Sequence, residues 1–108
     1  MDFTKLDGLI PAVVQDHISG EVLMVGFMNA EAWDITRRTG YVTFYSRTRN
    51  KLWTKGETSG NRLAVREAFI DCDDDTVLLK AERLGDGNVC HTGDRTCFSK
   101  RAEGVTIP

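Results

Sequence analysis

The chain has 108 residues, enough for one compact domain spanning residues 1–108 and too few for a second catalytic unit. With 41% hydrophobic and 28% charged residues and no apolar run of bilayer length, it reads as a soluble globular protein and not a membrane protein. A formal net charge of −2 opposes wholesale binding to nucleic acid, but a local cationic loop could still hold a phosphate, which points to a small anionic ligand.

Residues 1–8 carry Asp2, Lys5 and Asp7 and lack the basic, apolar and small-residue succession of an export signal, so a cytoplasmic location is expected. Residues 9–15 and 21–28 are apolar and β-branched, and the turn-forming types between them predict a β-hairpin. Residues 29–39 predict the principal helix: Asn29 can cap it, Glu31 sits in the first turn, Arg37 and Arg38 in the last, and Gly40 stops it. Residues 41–46 read as a strand. Residues 47–61 read as one long polar loop with bends at Gly56 and Gly60. Residues 63–70 fit strand or helix, whereas 76–82 alternate as a strand, so an antiparallel pair around the intervening aspartates is expected. The economical architecture is mostly β with one principal helix.

Three cysteines, Cys72, Cys90 and Cys97, cannot all pair with one another, and in a chain that is not exported such spacing more often means metal or catalysis. Their C-x17-C-x6-C pattern is less diagnostic than paired C-x-x-C knuckles, yet three thiolates make a soft site for Zn²⁺ that leaves a position for water. His91, beside Cys90, could instead close that site as a fourth ligand. Asp71-Cys72-Asp73-Asp74-Asp75 concentrates four carboxylates around one thiol, for which a hard cation is the natural partner. If that segment is extended, Asp71, Asp73 and Asp75 share one face and Cys72 and Asp74 the other. The cationic stretch offers Arg47, Arg49, Lys51 and Lys55 for phosphate, Trp53 for stacking on a base, and Ser59 as a hydroxyl partner.

Taken together, Gly8-Leu9-Ile10-Pro11-Ala12-Val13-Val14-Gln15-Asp16, Phe44-Tyr45-Ser46-Arg47-Thr48-Arg49, Lys51-Leu52-Trp53-Thr54-Lys55-Gly56-Glu57-Thr58-Ser59-Gly60 and Cys90-His91-Thr92-Gly93 resemble the phosphoribosyl-AMP cyclohydrolases of histidine biosynthesis. The aspartate-rich pentapeptide and Cys97-Phe98 complete the resemblance in the same order. It implies a homodimeric, helix-capped β pseudobarrel that hydrolyses the N1–C6 bond of N1-(5-phosphoribosyl)-AMP. It also implies zinc on Cys72, Cys90 and Cys97, magnesium on Asp71, Asp73 and Asp75, and a zinc site shared between chains, with Cys72 from one and Cys90 and Cys97 from the other. In many relatives a phosphoribosyl-ATP pyrophosphohydrolase follows in the same chain; here the sequence stops at Pro108, so that activity is expected elsewhere. Attack of zinc-bound hydroxide on C6 is the expected chemistry, with His91 the leading candidate for general base.

Two other readings compete. Asp71, Asp73, Asp75 and Glu82 fall at the first, third, fifth and twelfth positions of an EF-hand-like calcium loop, although Thr76 stands where the turn calls for glycine. A zinc-stabilised interaction module is the other, distinguished by whether the metal supports turnover.

Overall fold

A computed structural model describes every residue, 1–108. The expected hairpin forms from β1 (Ile10–Asp16) and β2 (Val22–Met28), paired antiparallel from Ile10↔Met28 to Gln15↔Val22. Alternation along β1 turns Ile10, Ala12, Val14 and Asp16 into the interior. The helix α1 (Ala30–Thr39) starts where Asn29 Oδ1 accepts from the Ala32 N–H at 2.8 Å, a cap that contributes about 1 kcal/mol. It ends at Gly40, whose left-handed φ of 78° aims its N–H at the Thr36 carbonyl. Buried Thr36 then joins helix to sheet, donating to the Ala32 carbonyl at 2.9 Å and accepting from the Thr43 N–H at 3.0 Å.

The stretch 47–61 is not one loop. It contains a strand, β4 (Lys51–Thr54), that pairs antiparallel with β3 (Thr43–Ser46) through Ser46↔Lys51 to Thr43↔Thr54. Asn50, at φ 56°, closes the four-residue turn between them, and its N–H donates to the Ser46 carbonyl at 2.8 Å. The cationic residues of the turn mask this strand in the sequence. Leu52 and Trp53 nevertheless pack against the core, and that packing is what holds the strand in place.

Residues 63–70 resolve as strand β5 (Leu63–Ile70), antiparallel to β6 (Val77–Arg83), while β6 runs parallel to β1. The main sheet therefore has the order β2-β1-β6-β5, with β3-β4 as a separate two-stranded ladder. Mostly β with a single helix is the architecture observed. The sheet is open within one chain, so the closed pseudobarrel expected from the resemblance is not formed by the chain alone.

The aspartate-rich segment is also not extended. It is the β5–β6 turn: Asp71 Oδ1 accepts from the N–H groups of Asp75 (3.0 Å) and Thr76 (3.2 Å), and Asp74 takes a left-handed φ of 60°. The two-faced alternation therefore does not apply. Strands flank the turn on both sides, so the paired helices of an EF-hand are absent.

Candidate active site

The parallel pairing of β1 with β6 divides the sheet into two ends. At one lie the start of β6, the end of β5 and the turn bearing Cys72. At the other lie the β1–β2 turn, the end of β6 and the segment that carries Cys90 and Cys97. That segment is tied down by Arg95, whose Nε and Nη2 reach both Glu21 carboxylate oxygens at 2.8 and 2.9 Å, by the Thr96 hydroxyl on the Val22 carbonyl at 2.8 Å, and by the Cys97 N–H on the Leu23 carbonyl at 2.8 Å. Strand β6, seven residues and about 20 Å long, runs from the end that carries Cys72 to the end that carries the other two cysteines. No group of three or more His, Cys, Asp or Glu side chains converges within one chain.

Cys90 and Cys97 do approach each other. The Thr92 hydroxyl donates to Cys90 Sγ at 3.2 Å, and hydrogen bonding from Thr92 lowers the Cys90 thiol below the ordinary range. Cys97 is pushed up, first by burial and then by the negative charge of Cys90. The pair thus favours one thiolate over two, an imbalance that a cation between them would remove. His91 Nδ1 stands 3.9 Å from Cys90 Sγ on an exposed side chain.

Beside these groups opens a cleft of about 800 Å³. One part of its lining comes from the β3–β4 turn, β4 and the β4–β5 loop and presents Arg49, Lys51, Trp53, Lys55 and Ser59; another comes from the segment after β6 and presents Cys90 and His91. The structure thus brings together most of the residues singled out for substrate. Arg47 is not part of the lining; its guanidinium lies 4.4 Å from the centre of the Phe27 ring, where it stacks. Trp53 also touches the core, its ring 5.0 Å from that of Phe44. Asn61, Asp86 and Asn88 line the cleft as well. Nothing in their residue types or spacing marked them in the sequence, where Asn61 only closes the polar stretch after the bend at Gly60.

At the far turn, Asp71 is lowered chiefly by the Asp75 N–H, so its carboxylate serves its own loop. Lys5 Nζ lies 3.3 Å from Asp75 Oδ2 and 3.0 Å from the Asp73 carbonyl. Asp71, Asp73 and Asp75 share this turn without gathering their carboxylates at one point.

A cleft lined by cations, a tryptophan, one thiol and an imidazole has the make-up of an enzyme site for a small anionic ligand. Residues 24–99 match the family described as phosphoribosyl-AMP cyclohydrolase. The phosphoribosyl-AMP cyclohydrolase of Desulfatibacillum aliphaticivorans is 57% identical over 104 residues, covering 96% of this chain and 82% of the relative. That of Solibacter usitatus is 57% identical over 103 residues, with 95% and 81% covered. The histidine biosynthesis bifunctional protein HisIE of Bacteroides thetaiotaomicron is 54% identical over 103 residues, which make up 95% of this chain and 50% of that protein. The chain belongs to the phosphoribosyl-AMP cyclohydrolase family, hydrolases of histidine biosynthesis. Family membership displaces the reading as an interaction module. No helix is long and apolar enough to cross a membrane.

Proposed function

We propose that the chain opens the purine ring of N1-(5-phosphoribosyl)-AMP at the N1–C6 bond as a cytoplasmic, zinc- and magnesium-dependent homodimer. The observation that carries this reading is the single cleft lined by Arg49, Lys51, Trp53, Lys55 and Ser59 together with Cys90 and His91. The cations hold phosphate, the tryptophan stacks on the purine, and the reacting carbon falls toward Cys90 and His91. Arg47, stacked on Phe27, has no direct part in that grip.

Cys90 and Cys97 suit zinc by softness and proximity, and Cys72 is the remaining soft donor. Its place at the other end of the sheet supports a site completed by a second chain. Bound there, the metal supplies a Lewis acid that activates water at neutral pH. Exposed His91, beside Cys90, is positioned to accept a proton from the attacking water. Asp71, Asp73 and Asp75 at the β5–β6 turn would be the residues to hold magnesium, as hard oxygen donors, and Asp75 would then exchange its Lys5 partner for the metal.

A dimer is further supported by the outer face of the sheet. The strand registers place Val25, Val13, Leu78 and Phe69 in one row across all four strands, and Val25 and Phe69 are 45% and 48% exposed. On the other face of the same edge strand Ile70, paired with Val77, is also exposed next to the Cys72 turn, so a second copy covering this edge would meet Cys72. The test is turnover of N1-(5-phosphoribosyl)-AMP with metal analysis. Ring opening that a chelator abolishes and added zinc restores is expected. A folded protein loaded with zinc and magnesium that leaves the ring closed would overturn the proposal.

A further inference from the structure

The two walls of the cleft come from distant parts of the chain, and one side chain fastens them together. The last backbone bond of the β5–β6 ladder runs from the Leu84 N–H to the Arg62 carbonyl at 2.9 Å. Beyond it the pairing continues through the Asn61 side chain. Asn61 Nδ2 donates to Asp86 Oδ1 at 2.7 Å and to the Asn88 carbonyl at 3.1 Å, while Asn61 Oδ1 accepts from the Asp86 N–H at 3.1 Å. Asp86 Oδ1 in turn accepts from the Asn88 N–H at 3.1 Å, which fixes the start of the strand of residues leading to Cys90.

Only an amide can make this set of bonds, because it must donate twice and accept once. The surrounding backbone is shaped to admit it. A Cβ at Gly85 would stand 2.1 Å from Asn61 Oδ1, and one at Gly56 would stand 2.3 Å from the Asn61 carbonyl carbon. Both glycines also hold left-handed φ values, 69° and 79°. Gly56 sits between Lys55 and the hydroxyls of the first wall, and Gly85 leads into the second. Gly85 thus leaves room for the Asn61 amide itself, and Gly56 for the Asn61 backbone that carries it.

We propose that Asn61 is a positioning residue for the hydrolysis: it fixes the separation between the wall that grips the phosphate and base and the wall that carries Cys90 and His91. The inference rests on the reading of the cleft as the substrate site. Without the clamp each wall keeps its own groups, but their mutual register slackens. A misplacement of about 1 Å between a bound substrate and the reacting groups costs on the order of 100-fold in rate.

The experiment compares Asn61→Ala, Asp86→Ala, Asn61→Asp and the swap Asn61→Asp/Asp86→Asn for kcat, KM, melting temperature and binding of 5′-AMP by calorimetry. Asn61→Ala is expected to lower kcat about 100-fold while KM and the 5′-AMP dissociation constant stay within about threefold. Asp86→Ala keeps the bonds to the Asn88 carbonyl and the Asp86 N–H, so its loss should be about tenfold. Asn61→Asp sets a carboxylate against that of Asp86 and against the Asn88 carbonyl; the swap relieves only the first of these, by restoring a donor opposite an acceptor, and should recover about threefold of the lost kcat. A folded Asn61→Ala with kcat within twofold of wild type would overturn the inference. So would loss of 5′-AMP binding in step with kcat, since that reports collapse of the loop. If Asn61→Ala does not fold, Asp86→Ala at wild-type kcat, or a swap no better than Asn61→Asp, overturns it. Failure of the cleft reading is recognised separately: Arg49→Ala and Lys51→Ala would then leave 5′-AMP binding unchanged.

Discussion

Gly26 lies mid-strand in β2, opposite Ala12, with no left-handed φ, so alanine suits its backbone and would restrict the unfolded chain by about 0.4–1 kcal/mol in favour of folding. The neighbour reverses the sign. A Cβ at Gly26 would stand 2.6 Å from both Cδ1 and Cε1 of Phe44, whose ring is only 1% exposed. Ordinary contact at 3.4 Å demands that the ring retreat by about 0.8 Å, and its retreat is toward packed atoms, Trp53 among them. Overpacking of this kind costs about 1–3 kcal/mol, so Gly26→Ala should destabilise by about 1–2 kcal/mol net. For a domain near this size, that lowers the melting temperature by about 5–15 °C. Because Trp53 lines the cleft, KM should also rise a few-fold. Thermal melting with steady-state kinetics measures both effects, and Gly26→Ala/Phe44→Leu should recover much of the stability. An unchanged or raised melting temperature for Gly26→Ala would refute the packing argument.

Asp16 is held down to about 2 by the Ser19 and Ile18 N–H groups and by Arg83, so its folded value lies below its unfolded one. Its contribution is then present above about pH 4 and lost as pH falls toward about 2, and with Arg83 partly exposed it amounts to at most about 2 kcal/mol. Asp16→Asn should be less stable than wild type in urea at pH 7, and the gap should narrow on acidification; a gap independent of pH would contradict the assignment. Arg49→Ala and Lys51→Ala should raise KM by about tenfold each with little change in melting temperature, and the wild-type KM should rise with salt as phosphate attraction is screened. Unchanged KM would remove both cations from the substrate grip. Asp73→Asn should weaken magnesium activation while leaving zinc content near that of wild type, as judged by metal analysis, and equal loss of both metals would indicate a merged site or unfolding.

The elements with their own local logic were legible in the sequence. The hairpin of β1 and β2 and the helix bounded by Asn29 and Gly40 stand where alternation and capping place them. The aspartate turn was expected between two strands, but its conformation was not, because Asp71 folds back on the N–H groups of Asp75 and Thr76 rather than leaving the segment extended. Strand β4 was hidden by the charges around it, since the burial of Leu52 and Trp53 depends on long-range packing. The same limit explains the site. Lys51, Trp53 and Lys55 stand out by type and do line the cleft, whereas Arg47 lies against Phe27, a partner twenty residues away, and Asn61 is marked only when the chain brings Asp86 and Asn88 to it.

The central claim, a zinc site divided between two chains, is tested most directly by complementation. Cys72→Ser and Cys97→Ser, each inactive alone, are unfolded and refolded together, and zinc content and ring opening are measured. If one chain gives Cys72 and the other Cys90 and Cys97, each mixed dimer contains one intact site. Random mixing makes about half the dimers mixed, so roughly a quarter of wild-type activity and zinc should return. Activity and zinc remaining at the level of the separate variants, with chain exchange demonstrated, would contradict the shared site.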